Sequence, residues 1–206
     1  MKLFQTSGPA LFMYTVILCT LILSTVCFYV YYCSIVTSEI VLWVAITAFT
    51  IMYHLWGRII LGNFTKLFKR FISHKSWWFR EKKFEKRLYE ILRVKEWKHK
   101  ALTYNPEQFS LKENSIDKVL YTMTKAELDH WMNELISIST MFFGMIWGKT
   151  ELFVITAILA MIFDAQFIVI QRFNRPRVLR VLEKTEEKPK EVEQPKSYKD
   201  IINKKK

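Results

Sequence analysis

Glycine and proline are scarce in this chain, five of each in 206 residues. No glycine-rich run is present of the kind that cradles a nucleotide phosphate, and there is no paired-cysteine metal motif and no internal repeat. The three cysteines, Cys19, Cys27 and Cys33, lie in or beside one apolar stretch. There they read as small hydrophobic residues rather than a disulfide framework, a metal site or a thiol nucleophile. Acidic residues are also few, 19 against 31 Lys and Arg, so the net charge is +12. A basic balance alone suggests nucleic acid, but the hydrophobic runs point elsewhere and no nucleic-acid partner is expected.

Those runs are long. Residues 10–32, "ALFMYTVILCTLILSTVCFYVYY", carry no charge over 23 positions, more than the roughly 20 needed to cross a bilayer core. "IVLWVAITAFTIMYHLW" (40–56) is interrupted only by His54, and "LFVITAILAMIFDAQFIVI" (152–170) is the last strong run. The first segment is long for a signal-peptide core and lacks a small-residue cleavage site, so it is expected to stay as an anchor. The chain reads as an all-α integral membrane protein. About four transmembrane or re-entrant helices form two hairpins, with an interfacial amphipathic helix between them.

Positive charge sets the expected orientation. The link 33–39 contains no Lys or Arg, residues 58–100 contain fourteen, the turn after Gly148 has only Lys149, and the chain is again basic from Arg172 onward. The positive-inside rule then places both termini, the central segment and the candidate site at the cytoplasmic face of a cell membrane, in a multi-pass arrangement. The expected units are an N-terminal hairpin (1–62), a basic interfacial segment (63–123), a second, catalytic hairpin (124–180) and a disordered charged tail (181–206). The uncharged stretch 135–148 is only fourteen residues. It either extends back through Trp131 to span, or forms half of a re-entrant hairpin.

Within the basic segment, Phe84, Leu88, Ile91 and Leu92 recur at helical spacing among Lys, Arg and Glu. That is the pattern of a helix lying in the headgroup region, with Trp77, Trp78 and Trp97 as interfacial anchors. Residues 101–121, with Pro106, read as a loop. The glycosylation sequon at Asn63 has meaning only on an exported face, against which the charge bias argues.

The chemistry is concentrated in "TKAELDHWMNE" (124–134) and "QRFNRPR" (171–177). On a helix Glu127, His130, Trp131 and Glu134 share a face about 100° wide. Lys125 and Asp129 project oppositely and pair at i,i+4. A carboxylate beside an imidazole fixes its tautomer and makes it a better general base. If the hairpin turns near Lys149 and Thr150, the two motifs lie at equal height. "QRFNRPR", read as a turn closed by Pro176, then supplies Gln171, Arg172, Asn174, Arg175 and Arg177 either as donors for a phosphate-bearing donor molecule or an oxyanion, or as a helix stop at anionic headgroups. Asp164, inside the last run, either lines the floor of this site or serves helix packing. A single "ELDH" pair falls short of a di-iron bundle's ligand set, so neither a metal nor a cofactor is expected.

Three blocks, "FEKRLYEILRVKEWKHK" (84–100), "TKAELDHW" (124–131) and "QRFNRPR" (171–177), resemble the glycosyl-4,4'-diaponeurosporenoate acyltransferases in order and spacing. The resemblance covers roughly 75–180, with Lys125 where an arginine and Asp164 where an amide is expected. It implies a membrane enzyme that esterifies a fatty acyl chain onto the sugar of a glycosylated carotenoid, the closing step of staphyloxanthin formation. It also aligns Trp97, Lys98 and Lys100, then Glu127, His130 and Trp131, then Gln171, Arg172, Asn174, Arg175 and Arg177 with the family's blocks.

The resulting expectation is direct acyl transfer. His130 acts as base, Glu127 orients it with Glu134 as substitute, and Arg172, Asn174 and Arg175 bind the donor or steady the oxyanion. Trp131, Trp97, Lys98 and Asp164 complete the binding set. The partners are an acyl donor, a glycosylated lipid or carotenoid acceptor and membrane lipid. The competing reading is a non-catalytic membrane protein that binds anionic lipid or a partner enzyme.

Overall fold

The computed structural model describes residues 8–67, 72–101 and 105–192. Helix α1 (Gly8–Tyr32) and helix α2 (Glu39–Leu67) form the first hairpin. Short helices α3 (Glu85–Ile91) and α4 (Val94–Trp97) follow. The second hairpin consists of α5 (Ile116–Thr140), a 3-10 turn leading into α6 (Gly144–Trp147), and α7 (Thr150–Val192). No strand occurs among the described residues.

Three of these helices, over Leu11–Tyr32, Glu39–Leu67 and Thr150–Thr185, are long and apolar enough to cross a membrane. Many of their Ser and Thr hydroxyls are satisfied by the helix's own carbonyls, as hydrocarbon demands. On α1, for instance, Thr15, Thr20, Ser24 and Thr25 donate to carbonyls three or four residues back. Large aliphatic side chains such as Ile22, Ile40, Ile51, Ile155 and Leu159 are exposed. In water so much apolar surface would associate; in a bilayer it is the solvated side. The fourth helical arm is α5, whose short apolar part is extended through the 3-10 turn and α6.

Packing runs in series, α1 on α2, α2 on α5 and α5 on α7. The core lies near the two hairpin turns, where Leu42, Ile46 and Phe153 are buried beneath Phe28, Phe49, Phe143 and Trp147. Phe49 meets Trp147 and Phe143 edge-on at 4.7 and 5.0 Å, a geometry favoured by the ring quadrupoles. The second turn requires unusual backbone, with Gly148 at φ 68 and Lys149 at φ 54. Lys149 pairs with Glu39 at 2.5 Å and Tyr31 donates to Glu39 at 3.1 Å, which ties the turns of both hairpins together.

Several boundaries differ from the sequence reading. α2 continues past residue 62 to Leu67. The amphipathic stripe forms, but its helix breaks at Arg93, which adopts a left-handed φ of 48 between α3 and α4. Phe84, Leu88, Ile91 and Leu92 are all exposed, as a lipid-facing stripe would be. The loop ends at Ser115, whose side chain caps α5 by accepting from the Lys118 N–H at 3.4 Å, so residues 116–121 are helical.

"QRFNRPR" is not a turn, because α7 passes straight through Pro176 and on to Val192. A proline inside a helix removes one backbone hydrogen bond, at a cost of about 3 kcal/mol. The ion pairs of Arg172 and Arg175 anchor the helix just before it, and Arg177 lies over the Phe173 ring across it. The expected disorder over 181–206 therefore does not begin at 181, and residues 193–206 lie outside the described residues.

Candidate active site

From the Gly148 turn the two arms run antiparallel, so residues at equal distance along each face one another. Glu127 of α5 meets α7 here. Its Oε1 pairs with Arg172 Nη1 at 2.6 Å and its Oε2 with Arg175 Nη2 at 2.5 Å. Glu127 is wholly buried and Arg175 is 2% exposed. The two motifs are thus brought together, although the contacts between them are not the expected ones.

Arg172 has five N–H groups, and all of them are engaged by the protein. Glu85 Oε1 accepts from Nε at 3.0 Å and Nη2 at 2.5 Å, Glu127 accepts from Nη1, and the Trp78 and Arg80 carbonyls accept at 3.1 and 3.2 Å. Arg175 donates to the Phe79 carbonyl at 2.8 Å besides its pair with Glu127. The Arg172 guanidinium is therefore not free to receive an acyl donor or an oxyanion, contrary to expectation, and Arg175 keeps only its buried Nε–H without a partner. They work as a latch, with Glu85, Arg172, Glu127 and Arg175 alternating in charge to bind the tryptophan-bearing segment onto α5 and α7. Burial, then the Glu85 carboxylate, push the Tyr89 phenol well above its usual range. It remains a donor, to Glu85 Oε2 at 2.6 Å.

The remaining basic residues form a second contact between α4 and α7. Lys98 donates to Asn174 Oδ1 at 2.8 Å, and burial followed by the neighbouring Arg177 lowers its ammonium from the ordinary value. Lys98 and Arg177 both lie over the Phe173 ring, at 4.9 and 4.2 Å. Trp97 donates locally to the Leu92 carbonyl at 2.8 Å, and Gln171 is buried. Arg177, of the five donors expected, keeps an exposed guanidinium. Lys125 and Asp129 pair as expected, and Asp129 also accepts from Thr65 Oγ1 at 2.6 Å.

His130 has a carboxylate partner, but neither of those its helix offered. Its Nδ1 lies 2.7 Å from Oδ1 of Asp164, a residue with no exposed surface. The same oxygen accepts from Asn133 Nδ2 at 3.0 Å, and the other carboxylate oxygen, Oδ2, is 2.5 Å from Arg58 Nη2. A carboxylate paired with arginine only accepts, so the imidazole must carry its proton on Nδ1. In the neutral ring Nε2 then carries the lone pair, the tautomer a general base needs. The ring is fixed further by stacking on Phe167, 4.7 Å away and 8° from parallel.

Glu127 is not the orienting group because it is committed to two arginines, and Glu134 points elsewhere. Glu134 Oε2 is buried without a hydrogen-bond partner. The residue helps line an apolar groove of about 760 Å³ with Trp78, Leu88, Trp131, Ile162 and Ala165. Arg172 and Glu85 also line the groove, and α5 contributes Trp131 and Glu134 to it; His130, one turn before Glu134, is not itself a lining residue. Among the described residues no group of three or more His, Cys, Asp or Glu side chains is arranged to hold a metal ion.

The model of the glycosyl-4,4'-diaponeurosporenoate acyltransferase family matches residues 75–184, just over half of the chain. The chain belongs to this family. It is a membrane acyltransferase. No curated protein and no solved structure matches it. The match begins before α3 and contains the latch, His130, Glu134 and Asp164; it leaves α1, α2 and Arg58 outside.

Four contributors went unread in the sequence: Arg58, Glu85, Asn133 and Phe167. A signal existed for Arg58, which is followed by "IILG" and so lies inside the second apolar segment rather than beyond it. A charge so placed requires a partner.

Proposed function

We propose that this acyltransferase esterifies a fatty acyl chain onto a sugar hydroxyl of a glycosylated carotenoid, or of a glycolipid of similar shape. The observation that supports it is the His130–Asp164 pair, on the helix whose Trp131 and Glu134 line an apolar groove, in a chain of this family. His130 Nε2 takes the proton of the sugar hydroxyl as its oxygen attacks the acyl carbonyl. The tetrahedral intermediate then collapses, the bond from the acyl carbon to the donor's heteroatom breaks, and the imidazolium returns the proton to the leaving group. No acyl-enzyme is required, since the acceptor itself is the nucleophile.

The groove suits the hydrocarbon parts of these substrates. Arg177 is exposed on a cleft of about 440 Å³ that Lys86, Arg93, Lys95 and Arg180 line together with Glu81, Glu90 and Glu96, and its guanidinium is a candidate contact for an anionic donor. The test is lipid extraction from cells with and without the gene, followed by mass spectrometry. An acylated glycoside should be present only with the gene, and the unacylated glycoside should accumulate without it. Identical lipid profiles in the two strains would refute the assignment.

We also infer that the basic end, with both termini and the site, faces the cytoplasm of a cell membrane. This rests on the fourteen Lys and Arg in 58–100 against none in 33–39. A single cysteine placed at residue 110 should resist impermeant maleimide in intact cells and react after permeabilisation. Labelling from outside would reverse the orientation.

A further inference from the structure

Helix α2, outside the family match, is fastened to the second hairpin at three heights. Tyr53 Oη and Ser139 Oγ are 2.8 Å apart, Arg58 reaches Asp164 at 2.5 Å, and Thr65 donates to Asp129 at 2.6 Å. Between the first two, Gly57 allows the helices to touch. A Cβ there would stand 2.7 Å from Ile136 Cδ1, closer than carbon atoms pack. That approach carries the next residue, Arg58, to α7.

The consequence is felt at the base. Asp164 divides its acceptors, Oδ2 to Arg58 and Oδ1 to His130 and Asn133. A carboxylate with no exposed surface needs a countercharge to stay ionised, and only an ionised one holds the Nδ1–H tautomer of His130 firmly. Arg58 is the cation paired with it among the described residues. The surroundings are also polar beyond what packing uses, because His54 Nε2, Arg58 Nε and Glu134 Oε2 are all buried without partners. A fourth such atom, Arg175 Nε, lies in the latch; each is a polar group that bound water or substrate can satisfy.

We propose that α2 is part of the transferase site and that Arg58 is a positioning residue, acting through Asp164 on His130. This rests on the reading of His130 as the base. Purified R58Q enzyme should show kcat lowered roughly 10- to 100-fold, the scale seen when a carboxylate behind a functional histidine loses its support. KM should be unchanged, since the contact acts in the transition state.

R58K, which keeps the charge, should recover part of the rate. The R58Q/D164N double variant should be no slower than D164N alone, because both changes break the same chain of contacts. R58Q at full kcat, R58K no better than R58Q, or R58Q and D164N effects that multiply would each overturn the proposal. H130Q is measured alongside. If H130Q is slow and R58Q is not, only the role of Arg58 falls; if H130Q keeps its rate, the base assignment falls and this inference with it.

Discussion

Replacing Glu127 with glutamine should sharply reduce the amount of folded protein in the membrane. The change removes the carboxylate of Arg175, which is 2% exposed, and one of two carboxylates of Arg172. Breaking a buried pair on one side strands the opposite charge, which costs about 3–5 kcal/mol. Arg172 retains Glu85, so the stranded group is chiefly Arg175. A double variant, E127Q with R175M, should therefore recover much of the lost accumulation, because it removes the unpaired charge as well as its partner. Thermal unfolding in detergent and the membrane yield of each variant make the comparison. An E127Q protein that accumulates and melts like the parent would contradict the latch. The outcome also separates two roles for Glu127, since an orienting carboxylate would alter rate and leave yield alone.

His130→Gln should behave in the opposite way, with normal accumulation and turnover lower by roughly 10²-fold or more, the scale of lost general-base catalysis. Glutamine approximates the size of imidazole and can still donate to Asp164 Oδ1, so the Asp164–Arg58 pair has no reason to open. What disappears is the lone pair on Nε2. The measurement is acyl transfer per unit of folded, purified enzyme with acceptor saturating, so that binding and chemistry are not confused. Undiminished specific activity would remove His130 from the mechanism and direct attention to the unpartnered carboxyl of Glu134, on the groove wall, and to His54 Nε2.

The sequence by itself determined the membrane class, through apolar runs whose length depends only on bilayer thickness. It also determined the meeting of "TKAELDHW" with "QRFNRPR", because two helical arms of equal rise return to the same height on either side of Gly148. The Lys125–Asp129 pair was legible for the same reason, as a contact within one helix. Tertiary structure alone decided which carboxylate serves His130. Helical spacing puts Glu127, His130 and Glu134 on one face, but it cannot weigh a neighbour one turn away against charges arriving from other helices. Arg172 and Arg175 compete for Glu127 with full, permanent charges in a buried setting, and an imidazole cannot match them. Asp164, 34 residues distant along the chain, is left for His130, and it is available as an ion because Arg58 arrives from the first hairpin. The same two arginines bear on why "QRFNRPR" is helix rather than turn: they anchor the turn that leads into Pro176, where an isolated segment would have only its local preference.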